Sequence, residues 1–456
     1  QSQIMAPDSE NNDHQGPTED PEGINPPEAL QAPKPTNFPG KKITRRGFLT
    51  RAAVLAAAFG TGALVGRSCD KEGDSASAIE PECPEPPECP EPPVCPEVQE
   101  KIAETKERLE EEIEADAAKE IKKEEKESPK TKEELAEFID VGGVDNPDIP
   151  DLRTKIEEGK NHLEENLVEG VYNVAFLDPE TGHIHIRTTK DKGGKRTRRN
   201  GVNSRYSIKG HSDWIVVGNI TPKGTYYVPY SPRLDTPAVR QAGAEYMADV
   251  IFKAREELDE KGVKSRTDRT RLVADLLPPE FSAQILLIEH IDHGPFFRAL
   301  KTGDPDKIKA EYNKVIAVTG LNLEGTYAMT PSSAGARGFA QFMPNTYKGI
   351  KKVYPEVGLE PEFLDGMSDH KNAVMAQHCL FDNELKQAPD ARAKRYLSRH
   401  SYAKTLYTAA AYNCSPRHVN KKIDKHGADW REKLPKETER YLRKLEAIAS
   451  LQQENY

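Results

Sequence analysis

Apolar positions along the chain change their spacing three times. From Glu97 to Lys126 the sequence is almost all Glu, Lys and Ala, with Ile102, Leu109, Ile113 and Ile121 as a thin apolar seam. That pattern predicts a single charged helix or a short coiled coil. From Val168 the texture becomes alternating. "VYNVAFLDPETGHIHIRTT" carries two such runs around Asp178-Pro179-Glu180-Thr181-Gly182, a β-hairpin signature. "DWIVVGNITPKGTYYVPY" adds two strand-like runs split by Pro222-Lys223-Gly224. After Pro237 the chain reads helical to its end. Thr236-Pro237 opens "AVRQAGAEYMADVIFKAREEL", and Pro278-Pro279 opens "EFSAQILLIEHID", in which Phe281, Ile285 and Ile288 share one face. Gly294-Pro295 is expected to end that second helix, and "VIAVTGLN", interrupted at Gly320, reads as a poorer one.

These shifts predict a multidomain chain: a disordered acidic segment (1–43), an export signal or membrane anchor (44–66), a Pro/Cys-rich and charged-helix spacer (67–130), a helical linker (131–167), a small β-rich domain (168–237) and a mainly α C-terminal domain (238–456). Charged residues make up 31% of the 456, and the excess of 75 acidic over 65 basic side chains makes the protein mildly acidic. That speaks against a nucleic-acid partner, because a phosphate backbone selects clustered positive charge. The one dense basic run, "KDKGGKRTRRN" (Lys190 to Asn200), contains two glycines and reads as a solvated hairpin tip. Trp214, Tyr226, Tyr227 and Tyr230 would form either a sugar- or peptide-binding face or ordinary core and edge aromatics.

In "ITRRGFLTRAAVLAAAFGTGALVGRSC" (Ile43 to Cys69), Arg45, Arg46 and Arg51 precede an Ala- and Gly-rich apolar stretch from Ala52 to Val65. The stretch is short for a spanning helix of ~20 residues. Thr44-Arg45-Arg46-Gly47-Phe48-Leu49 resembles the bacterial twin-arginine export motif, which implies an extracytoplasmic location, with or without retention of the segment as an anchor. Cys83, Cys89 and Cys95 recur every six residues in "PECPEPPECPEPPVCPE", a proline-rich repeat expected to be extended polyproline II. A stiff rod spreads these thiols apart, so disulfides between chains fit better than a zinc site. Such disulfides, or coiled-coil pairing, would join copies through the stalk. Cys379 and Cys414 fall in helical segments and read as buried small side chains.

Glu289 lies on or beside the apolar face of its helix. Desolvation there raises a carboxyl's pKa, which is what a general acid needs to hold its proton near neutrality; a Glu paired with a core Arg is the alternative. Further on, "SSAGARGFAQFMPNTYKGI" (Ser332 to Ile350) gathers small residues around one Gln. Ser332, Gly335-Ala336-Arg337-Gly338 and Gln341, nine residues after the Ser, resemble the lytic transglycosylases, lysozyme-like enzymes that cleave peptidoglycan. "AAAYN" (Ala409 to Asn413) and "LPKETERYLRKL" (Leu434 to Leu445) follow in the family's order. The match covers the C-terminal region only, and its Gln-Phe-Met-Pro string is close to that of the membrane-bound type B enzymes.

The resemblance implies a lysozyme-like fold, no cofactor and no metal, and a catalytic Glu289, with Glu324 as the alternative. Glu324 keeps the shorter spacing to Gln341 usual in the soluble type; the long gap after Glu289 has a precedent in type B. Substrate contacts would fall to Ser332, Gln341, Tyr412, Asn413 and Glu437. Ser332 and Tyr412 would orient the catalytic carboxyl, and Gly335, Ala336 and Gly338 would let a glycan approach backbone. Without the resemblance, helix–helix packing through small residues would account for the same stretch. Two departures stand out: His290 follows Glu289 where Ser is usual, and Cys414-Ser415 replaces Ala-Gly at a turn that favours Gly. His290, Asp292 and His293 lack the spacing of a metalloprotease motif. The implied activity is a lyase making 1,6-anhydro ends; a lysozyme-type hydrolase and a non-catalytic wall-binding anchor are the alternatives.

Overall fold

A computed structural model of the chain describes residues 128–142, 149, 151–190, 206, 208, 210–211, 213–327, 332, 334–390, 393–394, 397 and 400–455. The export segment, the Cys-Pro rod, the charged helix before residue 127 and nearly all of the basic run lie outside them.

Two helices form within 131–167, and both pack into the core rather than standing free. Thr131 accepts a hydrogen bond from the Glu134 amide at 3.2 Å and opens α1 (Lys132–Ile139); α2 covers Leu152–Glu165. Leu135, Ile139 and Leu163 are fully buried, while most of the charged side chains of the two helices face outward. A small antiparallel sheet of order β2-β1-β3-β4 follows, from β1 (Tyr172–Leu177), β2 (Ile184–Thr189), β3 (Ile215–Ile220) and β4 (Tyr226–Tyr227). The β1–β2 hairpin turns where the sequence predicts: Asp178 accepts from the Gly182 amide at 2.8 Å, and Gly182 takes a φ of 69°. Its register runs from Tyr172 opposite Thr189 to Leu177 opposite Ile184, and β1 and β3 pair with a bulge at Ala175/Phe176. Helix α2 lies on the inner face, where Gly159 sits close to Val217 and Ala175.

The four aromatics do not share a surface. Tyr230 donates to Asp235 at 3.0 Å, the Tyr227 hydroxyl is buried, and Tyr226 leans on Ile156 and Val217. Trp214 belongs instead to an outer-face cluster with Val174, Phe176 and Val216, stacked on His185 at 4.0 Å.

The rest is helical: α3 (Pro237–Glu260), α4 (Pro279–His290), α5 (His293–Thr302), α6 (Pro305–Asn322), α7 (Pro344–Val353), α8 (Phe363–Ser368), α9 (His370–Lys386), α10 (Ser401–Cys414), α11 (Pro416–His426) and α12 (Lys436–Asn455). Prolines open several of them, at a position where the missing N–H costs nothing. Two sequence expectations are corrected. Gly294-Pro295 does not end α4; the break falls at Ile291, and Asp292 caps the new helix by accepting from the Gly294 amide at 3.0 Å. Gly320 does not interrupt its helix, which runs unbroken to Asn322. It meets Gly243 where α6 crosses α3, and a methyl group on Gly320 would run into the Val239 carbonyl.

One apolar core joins Leu135, the inner sheet face and the helices as far as Leu451. Asn322 stitches the sheet side to α6, accepting from the Val228 amide at 2.7 Å and donating to its carbonyl at 2.9 Å. Among the described residues no helix is long and apolar enough to cross a membrane. Cys379 and Cys414 are free thiols on α9 and α10.

Candidate active site

Helix α4 is apolar around its whole circumference and buried from Phe281 to Ile288, so it runs through the centre of the helical body. Two of its buried polar side chains pair across the core: Ser282 donates to Gln377 at 2.6 Å, and Gln284 donates to Gln452 at 3.0 Å. Glu289 is the second-last residue of this helix. The residue is half-buried, and desolvation raises the carboxyl's pKa to about 7. Two neighbours pull the other way. The Tyr441 hydroxyl donates to Oε1 at 2.7 Å, and the Lys444 ammonium lies near; the charge of exposed Glu437 adds to the upward push.

All three neighbours come from α12, at positions four and three residues apart that fall on one side of a helix. Tyr412 and Asn413 come from the end of α10. The Tyr412 hydroxyl feels the charge of Glu289 but donates to the Ala340 carbonyl, and Asn413 accepts from Thr438 at 2.8 Å, tying α10 to α12. The carboxyl is therefore held by Tyr441, where the sequence pointed to Ser332 and Tyr412. Tyr441 stands inside the quoted "LPKETERYLRKL", four residues after Glu437, and that helical spacing was the available signal.

The small-residue stretch is a loop, and the packing of two helices does not explain it. Arg337 and Phe342 pair across it by two backbone bonds of 2.9 and 3.0 Å. Ser332 serves the loop's own backbone: its hydroxyl accepts from the Ala336 amide at 2.9 Å and from the Ala334 amide at 3.2 Å. Gln341 takes a φ of 48° and donates its side-chain amide to the Gly338 carbonyl at 2.8 Å. Gly338 has a φ of 74°, and a Cβ there would strike the Met367 carbonyl. Its smallness thus serves internal packing; Gly335, with open space where a Cβ would stand, is the glycine that leaves backbone free.

Two bonds anchor this loop, one to the end of α4 beside Glu289 and one to α10. His290 bonds the Phe339 carbonyl through Nε2 at 2.8 Å and stacks on Tyr327 at 3.6 Å, while Tyr412 holds the next carbonyl. Burial drives the His290 pKa down to about 3, so the ring is neutral and Nε2 carries the proton it donates. His290 thus anchors the loop to α4. Glu324 lies elsewhere, exposed on the turn Leu323–Gly325, where its charge reaches Tyr246 and His370.

The sequence reading also missed Glu384, on α9. It is 3% exposed, its Oε2 has no hydrogen-bond partner, and burial pushes its pKa well above the ordinary carboxyl value; a charge there would reach Tyr412 and Tyr441. Among the described residues no group of three or more His, Cys, Asp or Glu side chains is arranged to hold a metal ion. A scan of protein-family models, a search of curated proteins and a search of solved structures each found no match.

Proposed function

We propose that this chain is a peptidoglycan lytic transglycosylase with Glu289 as its single acid and base. The observation that carries the reading is the half-buried Glu289 carboxyl, raised by desolvation to about 7 and hydrogen-bonded by Tyr441, at the helix end tied to the Gly-Ala-rich loop. A general acid is most effective when its pKa lies near the working pH.

In this reading protonated Glu289 donates to the oxygen linking MurNAc to GlcNAc, and the substrate's own N-acetyl group supports the developing cation. The Tyr441 hydroxyl stabilises the carboxylate that remains. That carboxylate then takes the proton from the C6 hydroxyl as its oxygen attacks C1, leaving a 1,6-anhydro end. One carboxyl suffices, unlike the paired acids of most glycosidases. Gln341 and the open backbone at Gly335 offer contacts to the glycan, with Asn413 and Glu437 on the α10–α12 side. The twin-arginine-like segment would export the protein, and the stalk would hold the helical body off the membrane.

Digestion of purified sacculi followed by mass spectrometry of the muropeptides tests the proposal. Anhydro ends that vanish in Glu289→Gln support it. Reducing ends with no anhydro product indicate a hydrolase, and an inert protein that sediments with sacculi indicates a wall-binding anchor. Loss of activity in Glu324→Gln alone would overturn the choice of acid.

A further inference from the structure

Lys444 is an unusual lysine. It sits in the interior of α12, 1% exposed, with its ammonium donating to the Ile288 carbonyl at 3.0 Å and the Ile291 carbonyl at 2.7 Å. Those carbonyls bracket Glu289. The last helical carbonyl of α4 with a backbone partner is Leu287, which accepts from the Ile291 amide at 3.1 Å. Ile288 and Ile291 thus belong to the orphan acceptors at a helix C-terminus, where the helix dipole is negative.

A neutral donor would satisfy the same acceptors without the cost of burying a charge. Burial does depress this lysine, to about 8, with the charges of Glu289 and Asp292 holding it up, so it remains an ammonium at neutral pH. The groups that face the Glu289 carboxyl are Tyr441, Lys444 and Glu437 from α12 and Tyr412 from α10; His290, Asp292 and His293 complete the surroundings of the ammonium. Lys444 is the cation among those acting on Glu289.

We propose that Lys444 is a positioning residue for the transglycosylase reaction: its two hydrogen bonds lock the last turn of α4 and fix the direction of Glu289, and its charge compensates the carboxylate left after proton donation. The inference deepens the functional reading above and rests on it. A displaced catalytic group costs about 100-fold per ångström, and a nearby opposite charge lowers a carboxyl's pKa by roughly 1–3.

The test uses the full chain with Lys444→Met, Lys444→Gln and Lys444→Arg, sacculi as substrate, and circular dichroism to measure the folded fraction. In Lys444→Met turnover per folded molecule should fall about 10- to 100-fold with KM little changed. The alkaline limb of its pH profile should move up by roughly one pH unit, because the acid loses the cation that favours ionisation. Lys444→Arg, which keeps the charge, should hold the limb near its original place. A neutral variant with the original pH profile, or a rate that falls only with the folded fraction, overturns the proposal. So does failure of both neutral variants to fold, which would make the lysine structural. Carbon-13 titration of the Glu289 carboxyl in Lys444→Gln needs no substrate: an upward shift supports the charge role even if sacculi are not cleaved, and no shift removes it.

Discussion

Replacing Glu289 by Gln should abolish wall digestion and, at the same time, stabilise the fold at neutral pH. Burial raises this carboxyl from 4.5 to about 7, whereas the unfolded chain ionises it near the ordinary value. A raised acid contributes its full stability below 4.5 and loses it as pH climbs to about 7. At ~1.4 kcal/mol per pH unit, ionisation costs the fold about 3 kcal/mol at pH 7 and above, and under about 1 kcal/mol at pH 5. Gln keeps the shape and an acceptor for the Tyr441 hydroxyl, but it cannot ionise. The variant should therefore melt roughly 6 °C higher at pH 7.5, taking about 2 °C per kcal/mol for a chain of this size. At pH 5 the gain should shrink to about a third of that or less. The assay is differential scanning calorimetry of both proteins at the two pH values, beside muropeptide release at pH 6. An equal gain at both pH values would show that packing, not charge, explains it. A destabilised variant would refute the claim that the carboxyl is forced to hold its proton, and with it the physical case for Glu289 as the acid.

The other expectations are structural. His290, His370 and His378 are buried neutral, desolvation holding them at about 3, about 4 and about 3. Unfolded histidines take up protons near 6.5, so stability is full above that value and falls as pH drops toward 3. At pH 5.5 each ring forfeits about 1.4 kcal/mol, partly offset by Glu289; a urea midpoint that does not fall between pH 7.5 and 5.5, in the wild type or more steeply in Glu289→Gln, would contradict this. Ser415 occupies a φ of 79° and a ψ of 146°, a region almost reserved for glycine. Ser415→Gly should gain about 1 kcal/mol by denaturant titration, and a loss would mean that its contact with His418 matters more. Gly320→Ala should cost more than about 3 kcal/mol, because its methyl group meets backbone on α3 rather than a side chain that can turn away; near-native stability would show that the α3–α6 crossing can open.

The mainly helical make-up and the small antiparallel sheet of the described residues were legible because they rest on local signals. The alternation around Asp178 to Gly182 and the prolines at 237 and 279 mark elements whose ends the structure reproduces. Failures occur where a local rule is overridden by a distant partner. Gly320 reads as a helix breaker, and the sequence does not say that Gly243 will lie across it. Gly294-Pro295 reads as a stop, yet proline in the first turn of a helix is a start signal, and Asp292 ahead of it supplies the cap. The charged segment before residue 167 reads as a linker because only its outer faces are polar; the pattern at Leu135, Ile139, Ile156 and Leu163 is too sparse to reveal what it packs against.

The site divides the same way, and the division follows from how each residue acts. The raised pKa of Glu289 was legible because a carboxyl beside the apolar side of a helix is desolvated where that helix is buried. Its supporting residues were not, since support depends on direction. Ser332, Gln341 and Tyr412 all have groups able to reach a carboxyl, and each instead bonds the small-residue loop. The side chains that do act on Glu289 belong to α12, where Tyr441 and Lys444 share the face that also buries Leu445 and Ile448. A lysine among apolar neighbours on a helix is the sequence signature of a buried cation in need of acceptors, and a helix C-terminus is where unused carbonyls are found. Pairing those two facts predicts that such a lysine will cap a neighbouring helix. Here it caps the helix that ends beside Glu289, so the charge that satisfies the helix end also lowers that carboxyl's pKa, against the larger upward push of burial.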